Sequence, residues 1–111
     1  MKRPDKIELL GCTYHIEWVE KGIMHLPCKA KENEEPYWVF GRCSQKLRRI
    51  EISLHDEDGI PVPEEVMLNT LWHEVAHAIC QEGCYDEEND NEQFIEWLGK
   101  NLQSIYGRFK L

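Results

Sequence analysis

The sequence predicts an α+β domain, with an antiparallel sheet of about three strands packed on two C-terminal helices. Three observations carry this expectation. Residues that favour strands, with patches of period-two alternation, dominate the chain up to residue 54. Apolar residues recur at helical spacing from Val66. A second helical pattern occupies 91–106 after a polar reversal. A chain of 111 residues supports one modest core, so 1–111 reads as a single domain.

The first strand region is "IELLGCTYHIEWVE", which alternates in part from Tyr14 to Val19. "CKAKENEEP" (28–36) reads as a polar loop, and "YWVFG" (37–41) as a second strand. "LRRIEISL" (47–54) places Ile50, Ile52 and Leu54 on one face of a half-exposed third strand. "GRCSQK" between these two reads as a hairpin turn, and antiparallel pairing is the economical arrangement for strands so close in sequence.

At "DEDGIPVPEEV" the texture changes. Pro63 suits a first helical turn, with Glu64 and Glu65 at the positive end of the dipole. Met67, Leu71, Val75 and Ile79 form an apolar stripe, widened by Leu68, Trp72, Ala76 and Ala78, and Gly83 is the expected end. Ahead of the second helix, Asp90 with Gln93, or Asn89 with Glu92, resembles a capping box. Phe94, Ile95, Leu98, Leu102 and Ile105 are its expected buried face, and Gly107 its stop.

Composition narrows the function classes. The formal net charge of -8 argues against a nucleic-acid binder, which needs a concentrated basic surface. Lys46, Arg48 and Arg49, the one compact basic run, read as a solvated face. No apolar segment is long enough to span a bilayer, and "MKRPDKIELL" does not resemble a signal peptide, so no membrane partner and a cytoplasmic location are expected. The five cysteines (Cys12, Cys28, Cys43, Cys80 and Cys84) are an odd set without a CxxC pair, and read as reduced thiols rather than a disulfide framework or a structural metal site.

The chemistry concentrates in "LWHEVAHAIC". On a helix, His73 and His77 lie one turn apart, so both imidazoles reach one ion, zinc being the metal this pattern suits. Glu74 projects beside that ion, where a general base must stand. Thr70, His73, Glu74 and His77 share the polar side of the helix, opposite the core stripe. A third ligand is expected from the second helix, where Glu92 and Glu96 lie one turn apart on its polar side. Glu92 is the preferred ligand, with Glu96 accepting a proton from the second nitrogen of one histidine; the reverse assignment stays open, and Glu87, Glu88 and Asp90 are weaker candidates. His15, Tyr37, His55, Tyr85 and Tyr106 are the donors available to stabilise an oxyanion, none of them secured by the sequence. The strand around 50–54 is the expected edge for an extended substrate.

"HEVAH" followed by "NEQFIE" resembles the gluzincin pattern of zinc metallopeptidases. The resemblance implies His73 and His77 as zinc ligands, Glu74 as general base, and Glu92, preceded by Asn91, as third ligand. Glu96 falls where this family places an acidic residue behind the ligands. "TLWHEVAHAICQ" and "NEQFIEWLGKNL" are similar, more closely, to small phage- and prophage-encoded zinc peptidases related to the ImmA/IrrE family. This similarity covers 69–106, and the preceding residues only in layout. It implies a zincin-like domain and a protein or peptide substrate, regulatory in character.

The expected activity is therefore zinc-dependent hydrolysis of a peptide bond by activated water, without a covalent intermediate. The rivals are a non-catalytic zinc-binding interaction module, a zinc hydrolase acting on a small-molecule amide or ester, and a helix pair that binds no metal. The sequence does not fix the oligomeric state.

Overall fold

The computed structural model describes residues 3–25 and 37–107; the loop expected over 28–36, with Cys28, lies outside them. β1 (Lys6–Leu9) turns back into β2 (Cys12–Val19) through Leu10 and Gly11, both at positive φ (51° and 80°). Two successive left-handed residues make the tight turn whose twist matches an antiparallel hairpin. The first strand region is thus two strands.

β3 (Ile23–His25) and β4 (Tyr37–Val39) pair antiparallel as a separate two-stranded sheet. Then come β5 (Gly41–Ser44), β6 (Arg49–Ser53), α1 (Glu64–Glu82), α2 (Asp86–Asn89) and α3 (Glu92–Tyr106). The main sheet runs in the order β1-β2-β6-β5.

Its antiparallel character is only partial. β1 with β2 and β5 with β6 are antiparallel, but β2 and β6 run parallel, with Ile16 opposite Ile50 and Trp18 opposite Ile52. β6, the parallel partner of β2, is not its neighbour in sequence: β3, β4 and β5 come between them, as parallel strands cannot be joined by a tight turn. "GRCS" is itself strand β5, and the turn falls at 45–48, with Arg48 at φ 46°. β6 is paired on both sides, so it has no free edge to offer a substrate; β5 is the edge strand on that side.

Alternation on β2 and β6 sends Tyr14, Ile16, Ile50 and Ile52 into the core, where they meet Met67, Leu71, Trp72, Val75 and Ala78 of α1. α3 packs on another side of α1, placing Ile95 against Ala76 and Cys80. With a sheet on one flank and a helix on the other, α1 is buried around most of its circumference. Glu82 anchors its C-terminal end. Tyr14 Oη donates to it at 2.7 Å, Arg48 Nε lies 3.2 Å away, and Cys12 Sγ approaches at 3.5 Å.

Helix ends depart in detail from expectation. Pro63 is the N-cap of α1; Gly83 is its C-cap, as expected, but at φ -84°, and the left-handed residue is the following Cys84 (φ 61°). α2 is a short helix that the sequence pattern did not announce. Asn91, rather than Asp90 or Asn89, caps α3, accepting a hydrogen bond from Phe94 N at 3.1 Å. Ile105 is 72% exposed because it faces away from α1. Cys12, Cys43, Cys80 and Cys84 are free thiols. Among the described residues, no helix is long and apolar enough to cross a membrane.

Candidate metal centre

α1 presents His73 and His77 one turn apart, with ring centroids 5.0 Å from each other and planes at 71°. Glu92 begins α3, where a carboxylate is favoured by the helix dipole. It lies between the two rings: Oε2 is 3.2 Å from His73 Nε2, and Oε1 is 3.3 Å from His77 Nε2. One ligand atom from each of the three residues falls within 4.8 Å of the others, the one such group among the described residues. The first helix therefore carries two members of the cluster, and the centre spans α1 and α3.

Donor type and spacing fit a divalent ion. Ligand atoms about 2.0–2.1 Å from a tetrahedral zinc ion stand about 3.3 Å apart, close to both histidine–carboxylate distances here. Each imidazole is also held from behind. Glu96 Oε2 lies 3.3 Å from His73 Nδ1, and Asn89 Oδ1 lies 2.7 Å from His77 Nδ1. An amide oxygen only accepts, so His77 donates from Nδ1, and the ring presents Nε2 on the side of Glu92.

Two glycines set this geometry. A Cβ on Gly99 would stand 3.2 Å from both N and Cα of His73, so its absence brings α3 close enough for Glu92 and Glu96 to reach the histidines. A Cβ on Gly41 would stand 2.6 Å from Thr70 Cγ2 and 3.3 Å from Glu74 Cγ. β5 therefore lies directly over the helix face that carries Glu74.

That contact buries Glu74 to 7% exposure and leaves Oε2 enclosed without a hydrogen-bond partner. Burial pushes its carboxyl up to about 7; the neighbouring His77 opposes the rise and Glu92 adds to it. The sequence pattern placed Glu74 on the polar side of α1, and it does face the cluster, but beneath a lid of strand.

The cluster opens into a cleft of about 780 Å³. Its floor is Asn69, Thr70, His73, Glu74, His77 and Gln81 of α1; one wall is Tyr37, Phe40 and β5, and the other is formed by Asn89, Asp90, Glu92 and Glu96. Ser53 N donates to Phe40 O, and Arg42 and Ser44 follow in the same alternating register. The backbone N–H and C=O groups of Gly41 and Cys43 consequently point off an edge that no strand among the described residues pairs. Cys43 Sγ contacts Gln81 Oε1 at 3.5 Å, and burial, with Glu74 and Glu82 nearby, pushes the thiol up to about 12.

Of the five oxyanion donors considered from sequence, Tyr37 alone lines this cleft. His15 lies on β2, His55 Nδ1 contacts Glu20 O at 2.7 Å, Tyr85 is exposed, and Tyr106 stacks on Trp72 in a separate groove. Arg48 and Arg49 of the basic run are spent on Glu82 and Glu17. Asn89, Gly99 and Gly41 were not singled out for the site by sequence. Only Gly99, a glycine interrupting the apolar face of a helix, carried a signal of close packing.

No family model matches the chain, and neither the curated proteins nor the solved structures give a match.

Proposed function

We propose that the protein is a zinc-dependent peptide hydrolase of the gluzincin type. The observation that carries this reading is the convergence of His73, His77 and Glu92 in one cleft, beside the enclosed, unpartnered carboxylate of Glu74. Two imidazoles and a carboxylate are a zinc donor set that leaves a coordination position open. Zinc, when bound there, supplies Lewis acidity that activates water and polarises a carbonyl.

The chain's own residues do the rest. His73, His77 and Glu92 hold the ion, while Glu96 and Asn89 fix the orientation of the two rings. Glu74 accepts the proton of the attacking water at its carboxylate and returns it to the nitrogen of the departing amine. Gly41 and Cys43 offer backbone donors and acceptors to an extended chain laid along β5. That free edge favours a peptide over a small amide or ester, and the open cleft favours a hydrolase over a sealed zinc-binding module. The motif resemblance points to a regulatory protein as the source of the peptide.

The test is Glu74→Gln. Zinc binding is retained and peptide hydrolysis falls by about 10²–10⁴-fold. Undiminished hydrolysis by that variant contradicts the assignment.

A further inference from the structure

We propose that the protein forms a two-fold dimer through the outer edge of β1, with Lys6 of each copy paired to Glu8 of the other. This surface lies at the opposite end of the main sheet from β5 and the metal centre, and the inference does not depend on the hydrolase reading.

β1 has β2 on one side and no strand among the described residues on the other. Its register decides which backbone groups that leaves over. Lys6 stands opposite His15, and Leu9 opposite Cys12. Ile16 N donates to Asp5 O at 2.8 Å, so Asp5, Ile7 and Leu9 turn their backbone groups to β2. His15 N donates the other way, to Arg48 O at 2.9 Å. The N–H and C=O groups of Lys6 and Glu8 therefore point off the edge of the sheet.

The side chains alternate in the same register. Ile7 and Leu9 face the helices, Leu9 within the core and Ile7 packed against it. Lys6 and Glu8 are exposed on the opposite face, and neither makes an ion pair among the described residues. A lone lysine on an edge strand deters pairing. Here the charges fit a second copy. An antiparallel pair of β1 strands centred on Ile7 sets Lys6 opposite the second copy's Glu8, and Glu8 opposite its Lys6. Both are positions where the outward backbone groups meet, and each pair exchanges two hydrogen bonds. Ile7 meets Ile7 between them, on the helix side, at the position where side chains stand closest. Sliding the register by two residues sets Lys6 against Lys6 in one direction and Glu8 against Glu8 in the other, which like charges oppose. A peptide of other sequence would use the backbone groups but not this charge order.

The edge also borders an apolar groove of about 470 Å³, where Ile7 and Leu9 face Trp72, Val75, Leu102 and Tyr106. A two-fold axis normal to the sheet puts the helices of both copies on one side. The two grooves then meet, and the exposed Tyr106 ring of each turns to the other copy. Two four-stranded sheets become one, and the metal clefts stay open at its far ends.

Sedimentation velocity of the full chain, with zinc present and at physiological ionic strength, tests this surface over a dilution series. The wild type should sediment as a dimer that dissociates on dilution. Lys6→Glu and Glu8→Lys each oppose like charges in both pairs, and each should weaken association about tenfold or more. An equimolar mixture of the two variants restores opposite charges and should associate as the wild type does. So should the double variant Lys6→Glu/Glu8→Lys, whose net charge is unchanged. Both side chains are exposed, so every variant should keep the wild-type thermal midpoint. Amide exchange at Lys6 and Glu8 should slow as concentration rises. A monomeric wild type overturns the proposal, as does a dimer indifferent to both single variants, or a mixture that stays monomeric. Protection of those two amides that does not vary with concentration would place another segment of the same chain on the edge, and overturns it too.

Discussion

Asn89 accepts a hydrogen bond from His77 across 2.7 Å, and this contact ties the four-residue α2 to the nineteen-residue α1. It gives the short helix a purpose: to hold one imidazole in the tautomer that leaves Nε2 free for a metal. Asn89→Ala should weaken zinc binding by about 10–100-fold, as loss of a partner behind a ligand histidine does. Asn89→Asp should restore most of it. Competition with a chelator measures both, and unchanged affinity in the alanine variant would remove Asn89 from the site.

Glu92 is the member of the cluster that α3 contributes, and it is 68% exposed. Its exposure makes it dispensable for packing, so Glu92→Ala should leave thermal unfolding of the metal-free protein nearly unchanged. Zinc affinity should fall markedly in the same variant. A fall in zinc affinity with Glu96→Ala but none with Glu92→Ala would exchange the roles of the two carboxylates.

Gly99 sets the distance between α3 and α1. Gly99→Val places methyl groups where even a Cβ stands 3.2 Å from the His73 backbone. Overpacking of this kind costs about 1–3 kcal/mol. Denaturant unfolding should show that loss, and zinc affinity should fall with it because Glu92 moves away with its helix. Wild-type stability in this variant would mean that the helices are not in close contact.

Glu82 couples the fold to acid. The Tyr14 hydroxyl, then Arg48, hold its carboxyl below the ordinary glutamate value of 4.5. The unfolded chain therefore binds more protons than the folded one between the depressed value and 4.5. This contribution is complete above 4.5 and disappears as pH falls through the folded value. Tyr14→Phe should reduce this acid dependence, read from unfolding midpoints between pH 6 and the acid limit. An identical pH profile would show that the hydrogen bond does not perturb Glu82.

Cys84 occupies left-handed backbone, a conformation that costs a side-chain-bearing residue about 1–2 kcal/mol. Cys84→Gly relieves this but adds freedom to the unfolded chain, leaving a net gain of about 0.5–1 kcal/mol. A rise in thermal midpoint checks it; a fall would mean that the exposed thiol makes a stabilising contact.

The helices were legible because Met67, Leu71 and Val75 repeat at the helical period, and because His73 and His77 stand on the face beside that stripe. The spacing of Glu92 and Glu96 brought both near the histidines for the same reason. The sheet was less legible. Leucine is a poor left-handed residue, so Leu10 concealed the β1–β2 turn, and nothing local in β2 announces a parallel partner as distant as β6. "GRCS" lacks alternation because Gly41 has no side chain to display; its role is set by Thr70 and Glu74, far along the chain. Asn89 sits in an acidic run whose helix is too short to leave a periodic trace.

The most direct test of a metal centre shared by α1 and α3 is X-ray absorption at the zinc edge of the zinc-loaded protein. The expected spectrum shows only nitrogen and oxygen neighbours at about 2.0–2.2 Å, with the outer-sphere signature of two imidazoles. Sulfur at about 2.3 Å would instead place the ion on the cysteines, and failure to retain one zinc per chain would leave His73, His77 and Glu92 as a hydrogen-bonded helix contact.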